Sequence, residues 1–284
     1  MAATATAPET AHSIDQLKED ARLARKLIIE MTTEAGSGHP SSSFSCTELV
    51  CALYLGGILK HDAKNPHWAE RDRFVMSKGH ACPAQYAIMA QAGYFPTEEL
   101  MTLRKLGSRL EGHPNLHRLP GIEASTGSLG QGLSVALGMS LAAKLDGASW
   151  QTFVLLGDGE IDEGQIWEAA LAAAKFEADN LIAIVDANTA QQTGYTKDIL
   201  PTEPKVDKWA SFGWEVQEID GHNYEQVLPA LKKAREATSK KPQAIIARTL
   251  KGKGVDFVEK SYGYHGKPLT KEEAGRALEE LGWK

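Results

Sequence analysis

Three consecutive segments constrain this chain more than any other feature. Phe153 to Leu156 is an apolar run of strand length, Glu163 to Phe176 is rich in alanine and reads as a helix, and Leu181 to Val185 is a second apolar run. Strand, helix and strand at this spacing make one βαβ crossover, which is right-handed and sets the two strands parallel in one sheet. Asp158, in Gly157-Asp158-Gly159-Glu160, and Asn188, in Asp186-Ala187-Asn188, then stand just past two strand ends on the same edge. Open α/β sheets bind ligands at that edge. A carboxylate and an amide oxygen converging there suit a hard divalent cation, Mg2+ or Ca2+. Gly157 and Gly159 let the backbone approach a metal-bound phosphate closely. Taken alone, the same residues also read as a strand-to-helix turn followed by a polar loop.

The alternation of strand and helix extends along the chain. Ile14 to Met31 carries a helical apolar face, with Ser13 or Asp15 as its cap. Further helices are predicted over Cys46–Leu55, Ala84–Gly93, Thr97–Leu106 (with Thr97 opening a capped start), Ser134–Leu145, Tyr224–Thr238 and Thr270–Leu281. Further strands are predicted over Arg71–Ser77, Trp214–Ile219 and Gln243–Thr249. Gly107 to Gly132 is a long irregular stretch, and a stretch of that length inside a domain is usually functional or disordered. A polar loop runs from Asn188 to about Lys205, and Lys251 to Gly266 is loop-rich. This pattern predicts an α/β fold, a mostly parallel sheet with helices on both faces. It reads as one domain over residues 13–284 with no internal repeat, preceded by an Ala/Thr-rich tail, residues 1–12, expected to be disordered.

Composition excludes several classes of function. Hydrophobic residues make up 42% and charged residues 24%, as in globular proteins. A net charge of −6 argues against nucleic acid and anionic membrane as partners. No apolar run reaches the ~18 residues of a membrane helix, and Met1 to Thr10 has neither the basic segment nor the apolar core of a signal peptide. Cys46, Cys51 and Cys82 are odd in number and lack metal-like spacing, so they read as small buried residues in a reducing compartment. The expected location is cytoplasmic.

Four histidines stand apart from the rest because each has a loop glycine beside it. They occur in Ser37-Gly38-His39-Pro40, Ser77-Lys78-Gly79-His80-Ala81, Glu111-Gly112-His113-Pro114 and Tyr264-His265-Gly266-Lys267-Pro268. Imidazole titrates near neutrality and can both donate and accept protons. His12, His61, His67, His117 and His222 read as packed or surface residues. Ser125-Thr126-Gly127-Ser128-Leu129-Gly130-Gln131-Gly132 precedes a predicted helix, whose positive end could receive an anion on backbone amides. Its spacing is not the dinucleotide pattern, and no Walker lysine follows.

In this order, with Gly-Asp-Gly…Asn and with Lys251-Gly252-Lys253-Gly254 near the end, these motifs resemble the diphosphate-binding part of transketolase. The resemblance runs from about Ser13 to the C-terminus. It implies thiamine diphosphate as cofactor, with Mg2+ or Ca2+ bridging it to Asp158, Asn188 and the backbone oxygen of Ala190. It implies cofactor contacts from Ser42, Lys78, His80, Gly127, Ser128, Leu129, Gly159, Glu160, Glu163, Asn188 and Lys251. It implies catalytic roles for His39, His80, His113 and His265: His80 near the diphosphate and reacting centre, His113 on the donor's C1 hydroxyl, His39 and His265 on substrate hydroxyls. Glu163 matches an acid in a relay between two cofactors across a dimer, although a carboxylate at a helix start is favoured there in any case. Many relatives carry Asn or Asp where this chain has Ala187.

A full transketolase continues into a pyrimidine-binding domain, and the glutamate that activates the cofactor belongs to that domain. The resemblance therefore implies one half of a split, two-chain transketolase acting on sugar phosphates. Its partner would be a C-terminal, pyrimidine-binding subunit, and the assembly α2β2. Two alternatives are an α subunit of a 2-oxo acid dehydrogenase, which should lack the Gly-His motifs, and a non-catalytic paralogue, which four retained histidines argue against.

Overall fold

The computed structural model describes residues 11–259 and 261–283. The disorder expected of the tail falls largely on residues 1–10, outside the described residues. His12 does not share it: its amide donates to Leu55 O at 2.9 Å and its Nδ1 lies 2.6 Å from Asp20 Oδ2.

In chain order the elements are α1 (Ile14–Ala35), α2 (Pro40–Ser45), α3 (Thr47–Tyr54), β1 (Arg73–Met76), α4 (Cys82–Gln91), α5 (Gly132–Asp146), β2 (Thr152–Gly157), α6 (Gly164–Lys175), β3 (Leu181–Ala187), β4 (Ala190–Gln191), β5 (Gly194–Tyr195), α7 (Thr196–Ile199), α8 (Lys205–Ser211), β6 (Glu215–Asp220), α9 (Tyr224–Arg235), β7 (Gln243–Arg248), α10 (Asp256–Glu259) and α11 (Lys271–Glu280). Five strands form a parallel sheet in the order β1-β2-β3-β7-β6, and β4 and β5 pair as a small antiparallel hairpin. The β2–α6–β3 crossover is the one expected from the sequence, with Gly157 opposite Asp186 in the register.

Side chains alternate across the sheet, and along β1, β2, β3 and β7 they are buried on both faces, while the edge strand β6 is largely half-buried or exposed. Phe74, Phe153, Leu155, Ile182, Ile184 and Ile245 enter one core with residues of α1, α3, α4, α9 and α11. Val75, Val154, Leu156, Ala183, Val185 and Ile246 enter the other, with Leu133 of α5, Ala170 of α6 and Trp209 of α8. Burial on both faces is why these strands read as unbroken apolar runs rather than as alternating ones. Ile184 is fully buried at the centre of β3. Ile184→Ala should cost about 2–5 kcal/mol in denaturant unfolding, the range for a core isoleucine truncated to alanine. Leu106→Ala, on a fully exposed side chain, should stay within about 0.5 kcal/mol.

Local expectations held where periodicity and capping agreed. Ser13, not Asp15, caps α1, in a reciprocal capping box with Gln16. Three expectations are corrected. The helix expected over Cys46–Leu55 begins earlier and is broken: Pro40–Ser45 form α2, and Cys46 joins it to α3 at φ −105°, ψ 7°. Serines usually favour loops, but here Ser43 Oγ donates back to His39 O at 2.9 Å inside the helix and Ser45 Oγ donates to Asp186 Oδ2 at 2.6 Å across the core, so both hydroxyls are satisfied in helical geometry. The helix expected over Thr97–Leu106 is only a 3-10 turn, Thr97–Thr102, following Pro96, and Thr97 makes no cap. It ends because Leu103 leaves helical geometry at φ −46°, ψ 126° and Arg104 enters the left-handed region at φ +59°. The polar loop after Asn188 carries the β4–β5 hairpin and α7.

The chain steps across β1, β2 and β3, jumps to the far edge for β6 and returns with β7 between. Four strands therefore end together with chemistry just beyond them: Ser77-Lys78 after β1, Asp158 after β2, Asn188 after β3 and Thr249 to Lys251 after β7.

Candidate active site

Three of the four singled-out histidines meet above this edge. The ring centroids are 5.0 Å apart for His39 and His80, 5.2 Å for His80 and His265, and 5.5 Å for His39 and His265. They come from the N-cap of α2, the turn after β1 and the turn before Gly266, segments brought together only by the fold. Lys251 Nζ reaches into the group at 2.6 Å from His265 Nδ1. An ammonium only donates, so His265 Nδ1 accepts, and a neutral ring carries its proton on Nε2.

Burial controls protonation here. Desolvation first, then Arg104, His113 and Lys251, push His39 down to about 4. Desolvation and then Lys251 push His265 down to about 3. His80 is held well below the ordinary imidazole range by burial and then by Lys78. Lys251 falls to about 8, by desolvation and then by the charge of Lys78. In the free chain the cluster is thus neutral imidazole at neutral pH, beside a lysine close to its titration point.

His113 stands beside the group, against the glycine-rich loop. A Cβ on Gly127, whose φ is +142°, would come within 2.9 Å of the His113 ring. A Cβ on Gly79 would come within 2.9 Å of Gly127 N. Only bare backbone lets these two segments touch. Ser128 and Leu129, beyond Gly127, are exposed.

The cation pair also adjoins. Asp158 Oδ2 accepts from Thr189 N at 2.6 Å, one residue past Asn188, while Asp158 Oδ1 takes no hydrogen bond from any described residue. Burial, and then the like charge of Asp186, raise the Asp158 carboxyl to about 6 against the pull of the Thr189 amide, Lys205 and Lys251. A buried carboxylate in that state favours a cation. Asn188 Nδ2 donates to Asp186 Oδ2 at 2.9 Å and Oδ1 accepts from Ala190 N at 3.2 Å. The third expected ligand, Ala190 O, accepts from Lys251 Nζ at 3.2 Å, so a cation there requires the ammonium to turn away. Among the described residues no group of three or more His, Cys, Asp or Glu could hold a metal ion alone. Two side-chain oxygens suit a cation that completes its shell with phosphate oxygens. Three buried polar atoms of this region lack a partner, His39 Nδ1, Ser42 Oγ and Gln191 Oε1. Such atoms are rare in a folded interior and fit a polar guest.

One carboxylate and one lysine are placed otherwise than expected. The Lys78 ammonium points into the core, paired with Asp186 and donating to Ser42 O at 2.9 Å, with Asp186 also accepting from Ser45 and Thr249. Its charge is balanced there, so the positive charge left for a phosphate is that of Lys251. Glu160 accepts from Gly130 N at 3.0 Å, Gly157 N at 2.9 Å and the Ser77 hydroxyl. The protein's own carboxylate therefore takes the Gly130 amide that was expected to meet an outside anion. Glu163 is exposed at the start of α6, its Cβ beside Gly130, and Gly159 abuts Gln191.

Sequence reading missed Arg104. Its guanidinium donates to Ser37 Oγ at 3.0 Å and Gly112 O at 3.3 Å, linking the loops of His39 and His113. Arg104 and Thr189 are two of three non-glycine residues with positive φ among the described residues, and both lie at this site. Backbone strain of this kind concentrates at functional sites. No sequence signal marks it, because neither residue type favours that conformation.

The family described as transketolase, thiamine diphosphate binding domain, matches residues 17–284. A 6-deoxy-6-sulfo-D-fructose transketolase subunit from Clostridium sp. (strain MSTE9) is 46% identical over 265 residues, which is 93% of this chain and 96% of that protein. An apulose-4-phosphate transketolase subunit from Actinobacillus succinogenes is 41% identical over 270 residues, 95% of this chain and 97% of that protein. The crystal structure of transketolase from Campylobacter jejuni superposes with a TM-score of 0.89 at 35% identity, covering 96% of this chain but only 44% of that one.

Proposed function

The chain belongs to the transketolase family, and from that premise we propose that it is the diphosphate-binding subunit of a two-chain transketolase. The reaction is transfer of a two-carbon ketol unit from a ketose phosphate to an aldose phosphate. The observation that carries the reading is the packing of His39, His80 and His265 around Lys251, beside Asp158 and Asn188. When bound, thiamine diphosphate supplies the carbon chemistry at its thiazolium C2. Asp158 and Asn188 would hold a divalent cation, Mg2+ or Ca2+, with Ala190 O as the third ligand that the family resemblance implies. Lys251 would offer its charge to the diphosphate, and Ser42 Oγ a free hydroxyl. His39 and His265 bind and shuttle protons for substrate hydroxyls, His80 serves the reacting centre, and His113 meets the donor's C1 hydroxyl.

A pyrimidine-binding partner subunit completes the site, in two copies of each chain, with Gly127, Ser128 and Leu129 facing the shared cofactor. Among the described residues no helix is long and apolar enough to cross a membrane, and the three cysteines are free and buried, in keeping with a cytoplasmic enzyme of sugar-phosphate metabolism.

The reading is tested by assaying the chain with its cognate partner subunit on ketose and aldose phosphates, where absence of ketol transfer overturns it. In that assembly His113→Ala should lower kcat/KM for the ketose donor roughly ten- to a thousandfold, the range for losing a substrate hydrogen bond or an acid–base group. Cofactor affinity should barely change. Collapse of cofactor binding with turnover at saturation intact would move His113 from the substrate to the cofactor.

A further inference from the structure

A second buried charged cluster lies outside the groups assigned above, and it reaches the site through the backbone. Arg25 of α1 and Glu48 of α3 are paired at 2.8 Å, with both side chains over nine-tenths buried. Burial raises the Glu48 carboxyl, but Arg25 and His222 outweigh it and hold it below the usual carboxylate range. His222, in the turn after β6, lies with Nδ1 2.9 Å from Glu48 Oε2. Its other nitrogen, Nε2, accepts from the amide of Leu250 at 2.8 Å. A backbone N–H can only donate, so Nε2 is bare and Nδ1 carries the proton given to Glu48. Arg25 grips the same segment further on, its Nε donating to Lys253 O at 2.9 Å, and its Nη2 holds Phe44 O at 3.1 Å at the end of α2. Between the two grips, Gly252 N donates to Ser41 O at 3.0 Å.

The segment Leu250 to Lys253 is thus tied at three backbone groups, two of them through this cluster, and the residue enclosed is Lys251. A buried ion pair of this kind is weak evidence for stability, since burying both charges costs much of what their attraction returns. Its geometric consequence is specific. We propose that His222, oriented by Glu48 and Arg25, is a positioning residue for Lys251, holding the loop so that the ammonium enters the histidine cluster. This rests on the proposed function only in the role it gives to Lys251.

The test uses two substitutions that divide the imidazole's work, made in the chain assembled with its partner subunit. His222→Asn keeps a donor for Glu48 where Nδ1 stood but offers nothing to Leu250. His222→Gln carries an acceptor out to the place of Nε2. In His222→Asn the Leu250 amide should exchange with solvent roughly fivefold to tenfold faster, as expected for one lost hydrogen bond. Its kcat/KM should fall roughly ten- to a hundredfold, the cost of a catalytic group misplaced by about an ångström. His222→Gln should restore both. Combining His222→Asn with Lys251→Ala should lower kcat/KM less than about twofold beyond Lys251→Ala alone, because the histidine acts through the lysine. Equal exchange and equal turnover in the Asn and Gln variants overturn the proposal, as does a His222→Asn loss that multiplies in full with Lys251→Ala. If the unsubstituted assembly shows no ketol transfer, the functional reading fails while the exchange measurement still decides the loop.

Discussion

Purified alone, the chain should show no measurable ketol transfer on xylulose 5-phosphate plus ribose 5-phosphate, and adding the cognate pyrimidine-domain subunit should restore it. The expected gain is on the order of a thousandfold or more, since general acid–base activation alone contributes ~10²–10⁴-fold and half of the cofactor site comes with it. The described residues supply groups for a diphosphate and for sugar hydroxyls. The buried carboxylates of the site have other work: Glu160 is engaged with Gly130, Gly157 and Ser77, Asp186 with Lys78, and Asp158 is the one assigned to the cation. None is left to protonate an aminopyrimidine. Leu129, in the glycine-rich loop beside the site, is among the exposed large apolar side chains, and an obligate interface of the kind expected with the partner buries ~2,000 Å2 or more. Native mass spectrometry of the active mixture should show two copies of each chain. Substantial transfer by a preparation shown to hold this chain alone would falsify the split-subunit reading.

The second large effect is expected at Asp158. Asp158→Ala should weaken cation-dependent binding of thiamine diphosphate by the assembled enzyme on the order of a hundredfold or more, because losing even an outer partner of a metal ligand costs ~10–100-fold. Asn188→Ala should cost less, since an amide oxygen brings no net charge. Calorimetric titration with cofactor and Mg2+ reads both. The free chain provides the control for misfolding. The folded Asp158 carboxyl titrates at about 6, above its ordinary 3.8, mainly through burial. The folded state therefore holds that proton more tightly than the unfolded chain does. Its ionised form opposes folding above about pH 6, and that opposition fades as pH falls. Asp158→Asn should accordingly leave the Tm of the free chain at neutral pH unchanged or higher while cation-dependent binding is lost, the trade expected where a group is kept for function. Wild-type cofactor affinity in Asp158→Ala would remove the residue from the metal site.

The sequence by itself determined the fold class and the edge on which the chemistry gathers. The apolar runs of β2 and β3, the alanine-rich α6 between them and the glycines of Gly157-Asp158-Gly159 are local signals. Hydrophobic period, turn chemistry and crossover handedness convert them into a parallel sheet with Asp158 and Asn188 past adjacent strand ends. The Gly-His motifs likewise marked loops that the fold brings together. Which partner each side chain takes was decided only by the tertiary structure. Lys78 turns to Asp186, 108 positions away, rather than outward. Glu160 reaches back 30 positions to the Gly130 amide. Arg104 ties the His39 and His113 loops from a left-handed backbone position that its residue type does not announce. His222, which reads in the sequence as a packed or surface histidine, meets Glu48 174 positions away and fastens the loop of Lys251. The physical reason is one of range. Periodicity and turn preference act over a few residues and can be read along a line. A buried charge must find whichever counter-charge or backbone group the packed core delivers to it, because leaving it unpaired costs more than the pair's distance along the chain can prevent.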